Sequence, residues 1–223
     1  FITVPNISLS PEYAYNCATG WSQKFYLFNN NLKINFYNAA YLTLLKNVIV
    51  KNTFNVNGLD RIEYNNEWYN VIANQNDNDA LVYGMNSSID VDILDNINLH
   101  SGFTLTKGYL TNNKSPFGHI PPLFGNITLQ YKKDKYLLSI FSRFNGTKKR
   151  SDFGPENVDN PNEANDVGYP KWCTINGSLK CNISEKIILN LGCYNIFDVH
   201  YKTFASGISA QGRSLLVTLR LAY

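Results

Sequence analysis

Apolar and polar residues alternate with a period of two along most of the chain. Because successive side chains of a β-strand point to opposite faces, this period predicts strands with one apolar and one mostly polar face. The alternation recurs in nine segments, namely residues 12–28, 31–46, 80–94, 96–110, 123–132, 135–147, 171–182, 186–197 and 211–223. No part of the sequence has convincing helical periodicity, so we predict an all-β protein.

The last segment shows the two faces clearly. Its apolar face carries Leu215, Val217, Leu219, Leu221 and Tyr223. Its other face carries Ser214, Thr218 and Arg220, with Leu216 as the apolar exception. A tilted strand of about ten residues is long enough to cross a bilayer, so this segment has the length of a closing strand in a membrane barrel.

Short and long connections alternate strictly between the nine segments. The short ones are tight polar turns at Asn29–Asn30, Asp95–Asn96, Lys133–Asp134 and Ser184–Glu185. The long ones cover residues 47–79, 111–122, 148–170 and 198–210. Short turns at one end and long loops at the other are typical of an outer-membrane barrel, whereas soluble sandwiches usually have shorter strands and Greek-key connections.

The polar faces separate the two architectures further. They carry mainly Asn, Ser, Thr, Lys, Asp and Gly, as the wall of a water-filled lumen does. Aromatic residues near strand ends suit interfacial girdles; they are Tyr13, Trp21, Tyr83, Tyr109, Tyr131, Tyr136 and Tyr223. We therefore predict an antiparallel up-and-down transmembrane β-barrel.

The composition agrees with this prediction. Charged residues are 17% of the chain, below the roughly 25% of a typical soluble protein. The longest apolar run, residues 39–45, is shorter than the roughly 20 residues of a membrane helix. The net charge of +3 does not indicate nucleic-acid binding, and the basic residues 148–150 are expected to be solvated.

The four cysteines do not indicate a disulfide or a metal site. Cys17, Cys173, Cys181 and Cys193 have no metal-ligand spacing. A turn at Ser184–Glu185 would place Cys181 opposite Ile188 and Cys193 opposite Asn176, so these two cysteines would not pair. We interpret all four as small apolar residues.

Nine strands are an incomplete barrel. An open sheet would leave segments 12–28 and 211–223 as unpaired edges, which are highly unfavourable in lipid. Single-chain bacterial barrels have even numbers of strands. The sequence therefore predicts further strands encoded upstream of Phe1, with the whole of residues 1–223 as the C-terminal portion of a longer barrel.

Five motifs resemble those of TonB-dependent outer-membrane receptors, and most closely those of the Bacteroidetes type. They are Asn195–Asp198 with Tyr201–Arg213 before the aromatic-terminated strand, Pro5–Glu12, His119–Gly125, Gly168–Trp172 and Thr174–Asn176. One departure is Ile7, which stands where the family usually has Pro. The resemblance covers essentially the whole chain.

The resemblance implies a barrel of about 22 strands, of which this chain would supply about the last nine. It implies an N-terminal plug domain, which is absent from these residues, and import of a scarce ligand such as a siderophore, haem or cobalamin. The implied partners are outer-membrane lipid, the plug and upstream strands, TonB through the N-terminal part, the barrel-assembly machinery at the C-terminal strand, and a small-molecule ligand. The implied location is the outer membrane of a Gram-negative bacterium, with the long loops outside.

Candidate site residues fall into two groups. Aromatic and histidine residues of the long loops are expected to contact ligand; they are Trp68, Tyr69, His119, Tyr169, Trp172 and Tyr201. Residues around the last loop are expected to be structural or to serve assembly; they are Asn195, Asp198, Gly207, Gly212, Arg213 and Tyr223. Gly207 and Gly212 are expected to supply backbone freedom.

Charged residues give weaker indications. Lumen-facing Arg143, Lys180 and Arg220, together with Trp172, are expected to touch plug or ligand, and plug contact is the favoured role for those deep in the lumen. The loop carboxylates are expected to be solvated rather than to bind calcium; they are Asp77, Asp79, Asp152, Glu156, Asp159, Glu163 and Asp166. His119 or His200 could serve as an axial haem ligand, although ordinary polar loop contacts are the simpler interpretation.

No enzyme motif is found, since the chain has no Gly-x-Ser-x-Gly, paired-His or phosphate-loop sequence. We therefore predict no catalytic residues, no cofactor and no bound metal. Two other interpretations stay open. One is a secreted β-sandwich that binds carbohydrate, suggested by the Tyr, Trp and Asn content. The other is a small, complete pore-forming barrel, which the two bare edges make unfavourable.

Overall fold

The computed structural model describes residues 1–29, 31–76, 79–155 and 157–221. The strands are β1 (Ile2–Thr3), β2 (Tyr13–Leu27), β3 (Leu32–Lys46), β4 (Ile49–Thr53), β5 (Arg61–Tyr64), β6 (Glu67–Asn76), β7 (Ala80–Ile93), β8 (Ile97–Leu110), β9 (Phe124–Lys133), β10 (Tyr136–Asn145), β11 (Lys148–Lys149), β12 (Gly168–Tyr169), β13 (Trp172–Ser184), β14 (Ile187–Tyr194) and β15 (Ser214–Leu221). Two short 3-10 helices cover Arg150–Asp152 and Pro161–Glu163. Within the described ranges, no helix has the length and apolar character needed to span a membrane.

The nine long strands form one sheet in the order β15-β14-β13-β10-β9-β8-β7-β3-β2. Every neighbouring pair is antiparallel. The predicted all-β meander is therefore confirmed, and the strand ends differ from prediction by only a few residues. The turn residue Asn30, the loop carboxylates Asp77 and Glu156 and the terminal Tyr223 lie outside the described residues.

The register places the predicted polar faces on one side of the sheet. One row crosses seven strands through Ser22, Tyr37, Ser88, Gly102, Asn126, Arg143 and Thr174. The long connections join the strands at one end and the tight turns join them at the other. We call these the loop end and the turn end of the sheet.

The apolar side of the sheet is uncovered. Leu215 is 79% exposed, Val217 68% and Leu129 44%. In a soluble sandwich these side chains would be buried against a second sheet. The uncovered apolar face is the arrangement of a barrel wall against lipid, where the lipid-facing side chains have no protein neighbours.

The connection that the sequence predicted as a long loop is folded over residues 49–76. Its β6 pairs antiparallel with β4 and β5, and parallel with β1. The alternation rule failed because β4 and β5 are only five and four residues long. The centre of β6, residues 71–73, is a continuous apolar run that is buried on both sides rather than an alternating one.

A small apolar core lies where this folded connection meets the large sheet. Val48, Ala80 and Leu110 are its buried members. Partly buried side chains pack against them; they are Leu45, Val50 and Phe117.

The predicted register of β13 and β14 is wrong by one residue. Cys181 lies opposite Leu189, and Cys193 opposite Gly177. The reason is an irregularity between Asn182 and Ser184 that shifts the pairing next to the turn. All four cysteines are free thiols, in agreement with their interpretation as small apolar residues.

Candidate functional site

The polar face of the sheet forms an open groove of about 1780 Å³. Its floor is built from alternate residues of the long strands, because only one of every two side chains points to this side. Four amides of the long strands, Asn86, Asn126, Asn145 and Asn176, lie on this floor. The groove therefore has a polar floor that can form hydrogen bonds across its width.

Two aromatic pairs stand in the groove. The rings of Trp172 and Tyr201 are tilted by 33° with centroids 4.2 Å apart. Phe141 and Tyr194 pack edge to face with centroids 6.1 Å apart. The indole Nε1 of Trp172 is buried and has no hydrogen-bond partner in the described chain, although an indole N–H usually finds one.

Arg143 lies between the two aromatic pairs. It follows Phe141 by two residues on β10 and pairs with Thr174, which follows Trp172 by two residues on β13. Among the described residues lining the groove there is no Asp or Glu. His100 also lines it, and its Nδ1 lies 2.7 Å from a carboxylate oxygen of Asp90. The groove thus offers a guanidinium group flanked by aromatic rings.

Three connections lie at the loop end of the groove, residues 111–122, 146–171 and 195–213. Among the described residues, two of these connections contribute to the lining, with Pro121 from the first and Tyr201 and Phe204 from the last. The connections are packed around buried polar groups, of which Asp159 is the most enclosed at 0% exposure. Its expected solvation is therefore wrong.

Asp159 links two of these connections through its carboxylate. One oxygen accepts the backbone N–H of His119 at 2.7 Å, and the other accepts that of Gly154 at 2.7 Å. The hydroxyl of Tyr169 donates to the carbonyls of Asp159 and Asn160 at 3.2 and 2.9 Å. Burial raises the pKa of Tyr169, and the negative charges of Glu163 and Asp159 raise it further.

Lys148 is also buried, with 6% exposure. Its ammonium group donates to the carbonyl of Ile120 at 2.6 Å and lies 5.2 Å from the centre of the Phe204 ring. Burial lowers the pKa of Lys148, and the nearby Asp159 and Asp152 partly oppose that decrease. The prediction that Lys148 is solvated is therefore wrong, whereas Lys149 is exposed as predicted.

The predicted ligand contacts do not form one cluster. Trp172 and Tyr201 meet in the groove. The side chain of His119 is 73% exposed and is not among the described residues that line the groove. Tyr169 is buried inside the loops at 2% exposure, which gives it a packing role.

Trp68 and Tyr69 lie on β6 in the separate small sheet. Trp68 is 63% exposed. The hydroxyl of Tyr69 donates to Glu67, and this hydrogen bond is the main reason that its pKa is raised, with a smaller contribution from desolvation. Phe141 and Phe204 line the groove and were missed as site residues. Phe141 follows the alternation of β10 and could have been found from it, whereas only the packing of a distant loop brings Phe204 to the groove.

Asn195 organises the last connection. It is 4% exposed, and its backbone N–H donates to the side chain of Asn176 at 2.8 Å. Its amide donates to the carbonyls of Val199 and Gln211 at 2.9 and 3.3 Å and accepts the N–H of Val199 at 2.9 Å. These contacts support its predicted structural role.

The reason expected for the two glycines is wrong. Neither Gly207 nor Gly212 has a positive φ angle, and a Cβ at Gly207 would meet nothing within 4 Å. A Cβ at Gly212 would instead lie 2.7 Å from the carboxylate of Asp198. That carboxylate accepts the N–H of Arg213 at 2.7 Å, so small size is what the position requires. Tyr223, the remaining assembly candidate, lies outside the described residues.

Within the described ranges, no group of three or more His, Cys, Asp or Glu residues is placed to hold a metal ion. No family model and no curated protein matches the sequence.

Solved structures match the fold closely. The copper transporter OprC superposes with a TM-score of 0.73 at 14% identity, over 97% of this chain and 33% of OprC. The siderophore receptor PirA from Acinetobacter baumannii gives 0.71 at 18% identity, over 96% of this chain and 32% of PirA. The pyoverdine outer membrane receptor FpvA from Pseudomonas aeruginosa gives 0.64 at 14% identity, over 96% and 30%.

The chain has the fold of an outer-membrane receptor barrel wall. At these identities the likeness is one of fold, and it confirms the predicted fold class. The chain spans about a third of the length of each structure it matches. The three matched proteins are transport or receptor proteins rather than enzymes.

Proposed function

We propose that residues 1–223 are the C-terminal part of the barrel of a TonB-dependent outer-membrane receptor, which imports a scarce ligand. The observation that carries this proposal is the nine-stranded sheet with an uncovered apolar face and a polar groove opposite. The fold likeness to transport receptors supports it, because nearly the whole chain matches about a third of each.

The two edge strands of the large sheet, β2 and β15, support the same proposal. In the described chain β2 and β15 each pair with one neighbour only. Since unpaired strand edges are unfavourable in lipid, further strands of the same receptor would complete the barrel. The plug domain, the contact with TonB and the motif resemblance to the Bacteroidetes type belong to this proposal, as does recognition of the last strand by the assembly machinery.

The groove favours a negatively charged ligand with a flat apolar part. Arg143 supplies a guanidinium group, which binds carboxylate and similar anions through paired hydrogen bonds. The neighbouring aromatic pairs offer ring faces and edges for stacking. Among the ligands considered from the sequence, an anionic iron chelate or haem fits these groups better than an uncharged ligand.

Two experiments test the function. Fractionation of cells should place the full-length protein in the outer membrane, extractable only with detergent. Its recovery in the soluble fraction would instead favour a secreted carbohydrate-binding sandwich. Deletion of the gene should reduce growth when iron or copper is limiting, the metals for which the structural neighbours are named.

The groove itself is tested by replacing Arg143 with Gln. Uptake of radioactive iron chelates should then need roughly tenfold more ligand, because a charge-assisted hydrogen bond is lost. Lys180→Gln is the matched control, since Lys180 shares the polar side of the sheet but is not among the described residues lining the groove. Equal uptake by the Arg143 variant and the wild type would exclude the groove as the binding place.

A further inference from the structure

Three connections meet at one buried side chain. Lys148 belongs to the connection 146–171, its ammonium group donates to Ile120 in the connection 111–122, and it lies over the ring of Phe204 in the connection 195–213. The ammonium group of Lys148 therefore contacts all three connections from one buried position, in addition to surface contacts such as the ion pair between Lys202 and Glu163.

A buried ammonium group is unfavourable unless its charge and its donors are satisfied. Here the carbonyl of Ile120 accepts one donor at 2.6 Å, and an aromatic face attracts the charge. Asp159 and Asp152 favour the charged form. If the loops separated, the ammonium group would lose the carbonyl and the ring together, so its burial couples the positions of all three.

A second set of contacts binds the same three connections. Asp159 holds the backbone of His119, and the side chain of Asn160 donates to the carbonyl of Ala205 at 2.6 Å. The ring of Tyr169 packs edge to face on Phe204 with centroids 5.4 Å apart. The two partners of Lys148, Ile120 and Phe204, are thus also held by contacts that do not involve Lys148: Asp159 binds the residue before Ile120, and Tyr169 packs on Phe204.

Both partners of Lys148 lead directly to the groove. Ile120 precedes Pro121, and Pro121 and Phe204 both line the groove. We propose that Lys148 is a positioning residue, whose buried ammonium group fixes the three connections as one wall over the loop end of the groove. It would influence a bound ligand through Pro121 and Phe204 without touching it. Only this last clause rests on the proposed function.

Hydrogen–deuterium exchange on the full-length protein in detergent micelles tests the coupling. In Lys148→Met, which keeps an unbranched apolar stem, exchange should accelerate roughly 10- to 100-fold at the hydrogen-bonded backbone N–H groups of His119 and Ser206, the range expected for loss of a hydrogen bond to a charged group. The backbone N–H of Val71, bonded to Asp60 in the small sheet, should keep its protection.

The matched control is Lys149→Met, which removes the neighbouring exposed charge and should leave exchange unchanged. Lys148→Arg keeps the charge and the donors and should restore most of the protection. Acceleration confined to residues 146–171, or none at all, would overturn the proposal. The result does not depend on transport, so a receptor with another ligand would still show it.

Folding of each variant is checked by the migration of unboiled samples on a detergent gel. If Lys148→Met does not form the barrel, Phe204→Leu takes its place, because it removes the ring under the cation and keeps an apolar side chain. It should accelerate exchange at the backbone N–H of His119, in a different connection. Unchanged exchange there would refute the coupling.

Discussion

The uncovered apolar face gives a prediction that depends on depth in the membrane. Leu129 on β9 is 44% exposed and Tyr136 at the start of β10 is 46% exposed. Leu129 lies near the middle of its strand, whereas Tyr136 lies at the turn end. The two positions are therefore alike in exposure and different in depth.

Substitution of each residue by arginine should show whether this face contacts lipid or water. On a lipid-facing strand an arginine destabilises by about 2–4 kcal/mol at the bilayer midplane and by about 0–1 kcal/mol near the interface. We expect Leu129→Arg to fall in the first range and Tyr136→Arg in the second. On a water-exposed surface both changes would fall within about 0.5 kcal/mol of zero.

The measurement is the free energy of unfolding of the full-length protein in liposomes, from guanidinium titrations followed by gel migration. Thr128→Arg is the control for the face, because Thr128 precedes Leu129 and lines the polar groove. Its effect should be smaller than that of Leu129→Arg. Equal effects at Leu129 and Tyr136 would refute the assignment of this face to lipid.

Two further predictions concern close packing and pH. Gly84→Ala should destabilise the barrel by about 1–3 kcal/mol, because the added Cβ would collide with the hydroxyl of Tyr41 and the carbonyl of Leu105. The control is Gly207→Ala, whose Cβ would meet nothing within 4 Å and which should leave the free energy of unfolding in guanidinium nearly unchanged. Because the pKa of Tyr169 is raised in the fold, its stabilising effect should be complete below its ordinary pKa and be lost as pH rises through the raised value. The difference between ultraviolet titrations of the wild type and Tyr169→Phe should show that the Tyr169 phenol ionises above its ordinary pKa. Ionisation at the ordinary pKa would contradict the burial.

The large sheet was predictable because each of its strands obeys a local rule. One face meets an apolar medium and the other meets water, so every strand of the large sheet alternates apolar and polar residues. The same rule placed Arg143 and Trp172 on the polar side before any contact was known. It could not show that Tyr201 stacks on Trp172, since a loop residue has no period that relates it to a strand.

The loops were predicted less well because their contacts are not local. Lys148 and Lys149 are adjacent and chemically alike, and one is buried while the other is exposed. The difference is made by Ile120 and Phe204, which lie 28 and 56 positions away from Lys148. Likewise Asp159 is indistinguishable in sequence from its solvated acidic neighbours until His119 and Gly154 supply their N–H groups.

The parallel pairing of β1 with β6 has a consequence for the order of assembly. Ile2 meets Val71, a contact of high sequence separation that would close slowly by itself. Pairing of β2 with β3 brings Tyr13 opposite Lys46. The loop that must close before β1 can meet β6 is then shorter, because residues 13–46 of the chain between Ile2 and Val71 already lie in the hairpin. β1 should therefore join the small sheet only after that hairpin has formed.

The same arrangement acts as a check on register. Next to the hairpin, Glu12 accepts the N–H of Ile49, and Ser10 exchanges two hydrogen bonds with the side chain of Asn76. A slip of one residue between β2 and β3 would turn side chains to the wrong face and carry these groups out of reach. The folded connection thus favours the native register of β2 and β3, because these hydrogen bonds form only in that register.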